Sequence, residues 1–246
     1  MKQLLDISYG SDKMQKLDIY LPDCEAFPVF VYYHGGGLTA GDKAKHQMLF
    51  QYLVSKNVAA VSVNYRLYPE ASYPQFIEDA AQAANWVFCN LSQYGKVEGI
   101  YLGGSSAGGY LSMMLCFDER WLGKYGLNST NFSGFVHDAG QPTTHFNVLH
   151  ERGLDKRRVI VDDAAPLFHI AGDKDYPPML IVVSDNDMEN RYEQTMLLVS
   201  TLRHFGYANK DVTLKVMNGT HCAYVKQIDE AGESVFGKII CEFIQK

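Results

Sequence analysis

The sequence predicts an α/β fold, with one mostly parallel central sheet carrying helices on both faces. Short, continuous, β-branched apolar runs recur along the chain, as strands buried on both faces require. Amphipathic helical patterns lie between these runs, so successive strands are expected to run parallel. The 246 residues show no internal repeat and no low-complexity linker, which fits a single domain of ordinary α/β size.

The N-terminal part differs from the rest. Leu4 to Tyr9 and Leu17 to Leu21, joined by a turn at Gly10-Ser11-Asp12, predict an antiparallel hairpin at the sheet edge. Buried strands are then expected at Val29–Tyr33, Val58–Val63, Gly99–Leu102, Phe135–His137, Met179–Val183 and Val212–Met217. Phe135–His137 carries the weakest pattern of the six. Helices are expected at Phe76–Phe88, Ala107–Phe117, Tyr192–Phe205 and Ala231–Ile244. The third of these stops at Gly206, a C-cap signal. Residues 140–175 fit neither period and predict a small lid or pocket wall inserted into the single domain, 1–246.

Composition excludes several classes. A net charge of -6 leaves no electrostatic footprint for nucleic acid. The densest basic run, Lys156-Arg157-Arg158, sits among Asp155, Asp162 and Asp163 and reads as a solvated face. No apolar window approaches the roughly 18 residues of a membrane span, and the first residues show no secretory pattern. A cytoplasmic location is therefore expected. The five cysteines are odd in number and lack CxxC spacing, which argues against both a disulfide framework and a zinc site. Neither a metal nor an organic cofactor is expected. Oligomeric state is not legible.

Four motifs carry chemistry, each at the end of an expected strand. Gly104-Ser105-Ser106-Ala107-Gly108 fits the G-x-S-x-G nucleophile elbow, which turns a strand sharply into a helix and exposes the serine hydroxyl near the positive helix end. His34-Gly35-Gly36-Gly37 fits a glycine loop whose amides receive an oxyanion. Gly36, Gly37 and Ala107 are the expected amide donors, with His34 packing behind the loop. Ser184-Asp185-Asn186-Asp187 ends a late strand in two aspartates, either of which could be the acid of a triad. Gly219-Thr220-His221-Cys222 puts a histidine after the last strand. The other histidines lack such a placement. The order serine, acid, histidine is one of three known for this constellation, and Ser106, acid, His221 follows it.

Together these residues resemble the α/β-hydrolase superfamily, and more narrowly its small esterases near the hormone-sensitive-lipase and feruloyl/acetyl-xylan-esterase-like groups. Lys16 to Pro22 resembles the family's second strand. Asn64-Tyr65-Arg66-Leu67-Tyr68-Pro69-Glu70, followed by Tyr73-Pro74, Glu78-Asp79 and Trp86, is similar to its YRL-x-PE … P … D … W stretch. Ser106 to Tyr110 matches its SAGG element. From Asp187 the offsets to Gln194, Leu202 and Gly206 fit the lidless esterases, whereas those from Asp185 do not. The resemblance thus selects Asp187. Ser105 stands where the hormone-sensitive-lipase group usually has aspartate, and no long N-terminal cap segment is seen.

The resemblance implies a serine carboxylesterase with a minimal lid, acting on a small-molecule ester through an acyl-enzyme. Ser106 would be its nucleophile, His221 its base and Asp187 its acid. A preference for short acyl chains is expected, since little apolar surface is available for a long one. The same triad would serve an amidase, an arylformamidase or a peptidase. A non-catalytic ligand-binding relative is a further alternative, disfavoured because all three triad positions are filled.

Overall fold

Alternation along the strands sorts their side chains onto two faces of one sheet. In β3 (Ala26–Tyr33), Val29, Val31 and Tyr33 join one core cluster, while Phe30 and Tyr32 join the other. In β4 (Ala59–Val63), Ala59, Val61 and Val63 face the first cluster and Ala60 the second. Both cores are apolar because each strand is covered on both sides. This is a computed structural model, and it describes residues 1–207 and 211–245.

Among the described residues the sheet has eight strands in the order β1-β2-β4-β3-β5-β6-β7-β8. The hairpin β1 (Lys2–Ser8) and β2 (Lys16–Leu21) is antiparallel and forms one edge, and β2 pairs antiparallel with β4. Strands β3, β4, β5 (Lys96–Ser105), β6 (Gly134–Asp138), β7 (Met179–Asn186) and β8 (Val212–Thr220) pair in parallel. The expected weak strand, β6, lies near the middle of the sheet and is buried throughout. Five residues are enough there because neighbours on both sides supply the pairing.

Helices α1 (Gln47–Ser55) and α7 (Val235–Ile244) cover one face. The other face carries α2 (Gln75–Asn90), α3 (Ala107–Phe117), the short α4 (Glu119–Gly123) and α6 (Arg191–His204). Helix α5 (Phe146–Glu151) lies inside the stretch expected to be irregular. Helix α1 is absent from the sequence expectations, although Leu49, Phe50, Leu53 and Val54 are its buried stripe. Helix α7 starts at Val235 rather than Ala231. Gly232 has φ +77°, and the Ser234 hydroxyl accepts from the Gly237 amide at 3.1 Å, so the N-cap stands at Ser234. Among the described residues no helix is long and apolar enough to cross a membrane.

The order reverses between β3 and β5: the chain leaves β3 for β4 on one side and returns to β5 on the other. Ligands bind outside the carboxyl ends of such strands at the switch point. His34, Ser106, Asp138, Asp187 and His221 all stand at that edge.

Candidate active site

Ser106 stands between β5 and α3 with φ 57° and ψ -113°, a region costly for any residue with a Cβ. Its amide donates to the Asp138 carbonyl at 2.8 Å, which anchors the turn to β6. The flanking glycines are demanded by crowding. A Cβ on Gly104 would lie 2.4 Å from the Tyr33 carbonyl oxygen, and one on Gly108 would lie 1.9 Å from it. Strand β3 therefore packs directly onto the elbow.

Strand register brings acid and histidine together. Asn186 pairs with Thr220 across β7 and β8, so the next residues, Asp187 and His221, emerge side by side. The Ser184 hydroxyl donates to the Thr220 carbonyl at 2.8 Å and locks this end. His221 Nδ1 lies 2.5 Å from Asp187 Oδ1, and His221 Nε2 lies 2.8 Å from Ser106 Oγ. Asp185 is elsewhere: it accepts from the Gly219 amide at 2.9 Å and from Asn218 Nδ2 at 3.0 Å, bracing the loop before the histidine. Burial pushes the Asp187 pKa up, but bonds from His221 and from the Met188 and Ser184 amides outweigh it and hold the carboxyl below its ordinary value.

The glycine loop closes the other side. Gly36 has φ +130°, and a Cβ there would come within 1.9 Å of the Ala40 carbonyl oxygen. The Gly36 carbonyl accepts from the Thr39 and Ala40 amides at 3.1 and 3.0 Å. Among the described residues the amides of Gly36, Gly37 and Ala107 have no hydrogen-bond partner. His34 stacks on Tyr65 with ring centroids 4.5 Å apart, and its Nδ1 lies 2.8 Å from the Gly35 carbonyl. Burial drives its pKa down to about 4. A neutral His34 thus packs on Tyr65, and His221 is the histidine bonded to Ser106.

Two features escaped the sequence reading. Asp138, at the end of β6, is fully buried and accepts from the hydroxyls of Ser105 and Tyr224. Tyr32 in turn donates to Ser105 Oγ at 2.9 Å. Burial raises the Asp138 pKa to about 7, although both hydroxyls pull against it. Ser105 pairs with Asp138 across β5 and β6, so the neighbouring strand supplies a carboxylate beside Ser105. The only sequence signal was an aspartate ending a weak strand.

The second feature is a cleft of about 430 Å³ whose lining includes Gln141, Phe146, Met188 and Arg191. Its lining does not include Ser106, Asp187 or His221. Met188 follows Asp187, and a Cβ on Gly37 would lie 3.2 Å from the Phe146 ring. Lys156, Arg157 and Arg158, expected to be a solvated face, are exposed and line this cleft. Cys222 Sγ stands 3.7 Å from His221 Nε2, and burial pushes its thiol pKa up. Among the described residues no group of three or more His, Cys, Asp or Glu side chains is placed to hold a metal ion.

The arrangement suits acyl transfer: a hydroxyl bonded to an imidazole, the imidazole bonded to a carboxylate, and unengaged amides around the hydroxyl. The sequence profile of a family described as alpha/beta hydrolase fold matches residues 30–225. Probable carboxylesterase 7 of Arabidopsis thaliana is 33% identical over an alignment covering 98% of this chain and 86% of that protein. Kynurenine formamidase of Danio rerio is 32% identical over 46% of this chain and 38% of its own length. Other curated relatives are likewise matched over only about a third of their length. Esterase B from Lactobacillus rhamnosis superposes with a TM-score of 0.80 at 19% identity, covering 99% of this chain and 85% of that one, a likeness of fold. By sequence profile, by a full-length relative and by topology, the chain belongs to the α/β-hydrolase family.

Proposed function

We propose that this protein is a serine carboxylesterase that cleaves short-chain esters through an acyl-enzyme. The observation that carries the reading is the continuous contact from Ser106 Oγ through His221 to Asp187, at 2.8 and 2.5 Å. Ser106 Oγ attacks the ester carbonyl while His221 Nε2 takes its proton. Asp187 holds the imidazole tautomer and stabilises the imidazolium that forms. The tetrahedral oxyanion is received by the amides of Gly36, Gly37 and Ala107. Each such donor contributes on the order of 2.7–4 kcal/mol to the barrier reduction. The first turn of α3 adds its positive dipole end. The intermediate collapses as His221 returns the proton to the leaving alcohol. Water, deprotonated by the same imidazole, then releases the acid.

Residues 140–175 serve in this reading as the pocket wall of a single domain. Five cysteines without a disulfide favour a reducing, cytoplasmic setting. An amidase reading is kept because a formamidase is among the relatives.

A panel of p-nitrophenyl esters from acetyl to decanoyl, run beside an aryl formamide, tests the proposal. Turnover should peak at or below butyryl and exceed turnover of the formamide. Ser106→Ala should lower kcat by about three orders of magnitude or more and abolish fluorophosphonate labelling while leaving the thermal melt in place. Labelling that persists in that variant would remove Ser106 from the nucleophile position. Formamide turnover above that of every ester would favour the amidase.

A further inference from the structure

The cleft beside the candidate triad is basic in a protein whose net charge is -6. Lys156, Arg157, Arg158 and Arg191 all line it. The acids nearby do not neutralise them all. Asp155 takes up Arg157 in a two-pronged contact at 3.0 and 2.6 Å, and Glu189 is the acid in the lining.

Arg191 is the unusual member. It is only 4% exposed, at the first turn of α6. Its partners are the Ala139 carbonyl at 2.6 Å and Gln141 Oε1 at 3.3 Å, neither of them a carboxylate. A guanidinium carries five N–H donors, and these contacts use two. Burial brings its pKa down to about 10, so it stays cationic at neutral pH. A buried cation is expected to be paired; the Asp187 charge acts on Arg191, but that carboxylate is hydrogen-bonded to His221 and not to the guanidinium. Here the wall it belongs to opens on a cleft.

The same cleft also has apolar lining, Phe146 and Met188. The Phe146 ring packs against Gly37, and Met188 adjoins Asp187. An ester reaching from the oxyanion loop along Phe146 would thus lay carbon on the ring and present its far end to Arg191, Lys156 and Arg158.

We propose that this cleft is an anion subsite, so that the preferred substrate is an ester bearing a carboxylate a few carbons from the scissile bond, bound by Arg191 with Lys156 and Arg158. The proposal rests on the esterase reading and names its substrate class. Arginine suits the role because its planar fork meets a carboxylate with two parallel bonds. Phe146 orients the spacer, and the exposed Lys156 and Arg158 draw the anion in.

Two matched ester pairs test it. On the acyl side, p-nitrophenyl hydrogen glutarate is compared with p-nitrophenyl valerate. On the alcohol side, the acetate of 4-hydroxyphenylacetate is compared with that of 4-hydroxyphenylacetamide. At low ionic strength kcat/KM for at least one carboxylated ester should exceed that of its neutral twin by about tenfold, the equivalent of one well-made charged contact. The advantage should shrink as salt shortens the screening length. Arg191→Met should erase the preference, but it also frees the Ala139 carbonyl and could unfold that corner. The surface double variant Lys156→Gln/Arg158→Gln avoids this problem, and should cut the preference several-fold, mainly through KM of the carboxylated ester. Neutral esters turned over as well as both carboxylated ones, or a preference untouched by the double variant and by salt, would overturn the subsite while leaving the esterase reading intact. No turnover of any of the four would remove the esterase reading and the subsite with it.

Discussion

Ser184-Asp185-Asn186-Asp187 offers two carboxylates within three residues, and the irregular end of β7 separates their roles: the pairing with β8 shifts register between Ser184 and Asn186, and Asp187 lies just past the strand. Asp185 points to Asn218 and Gly219, whereas Asp187 reaches His221 Nδ1. Asp187→Asn should leave the fold intact and lower kcat by about three to four orders of magnitude, since an amide neither holds the required tautomer nor stabilises an imidazolium. Asp185→Asn retains an acceptor for the Gly219 amide and should keep most of kcat. Steady-state assays on one activated ester would compare the two, and the reverse ranking would make Asp185 the acid. At Ser105 the resemblance pointed to a missing aspartate. Asp138 presents its carboxylate at that place from the next strand, an arrangement visible only once β5 and β6 are paired.

At the scale of elements, the Asn64–Glu70 stretch and α2 are joined through Arg66 and Asp79. The Asp79 carboxylate is fully buried and receives the Arg66 amide at 2.9 Å, Nε at 2.8 Å and Nη2 at 2.6 Å. Gln15 Nε2 donates to it at 2.7 Å, which ties in the loop after β1. Asp79→Ala would strand these donors. Removing one partner of a buried pair costs about 3–5 kcal/mol, so guanidinium denaturation should show a loss in that range; a loss within the scatter of ordinary surface variants would contradict this role. Both residues were quoted in the family motif, but nothing local said that they meet. Helix α1 escaped notice for a different reason. Its nine residues bury only Leu49, Phe50, Leu53 and Val54, against α7 and the sheet. So short a helix depends on tertiary packing more than on its own propensity.

Over the whole molecule, burial of histidine sets the response to acid. Burial lowers the pKa of His34 and His46 to about 4, that of His137 to about 3, and that of His145 well below its ordinary value. The unfolded chain binds a proton at each of these near pH 6.5, while the folded chain does not. Stability from these groups is therefore complete above about pH 6.5 and is lost as pH falls towards 4. The slope reaches about 1.4 kcal/mol per pH unit for each histidine. Asp138, raised to about 7, acts in the opposite direction: its share is complete near pH 4 and is lost as pH rises to 7. The buried histidines outnumber Asp138, and carboxylates held below their ordinary values, such as Asp187 and Asp162, also lose their contribution in acid, so the net is a loss. Thermal melts from pH 7.5 to 4.5 should show Tm falling steeply below pH 6, and a flat profile would contradict it.

What the sequence determined by itself was whatever depends on neighbours along the chain. The continuous apolar runs Val29–Tyr33 and Met179–Val183 marked strands buried on both faces. The glycines around Ser106 marked the elbow, and strand-end residues marked the edge where chemistry collects. Local sterics impose these patterns, so they survive in a linear reading. Tertiary structure decided what depends on register and approach through space. Asn186 had to pair with Thr220 before Asp187 could meet His221. Ser105 had to pair with Asp138 before their contact existed. Lys156 to Arg158 became a cleft wall only when residues 140–175 folded back beside α6. Such contacts join residues more than thirty positions apart, and no local period records them.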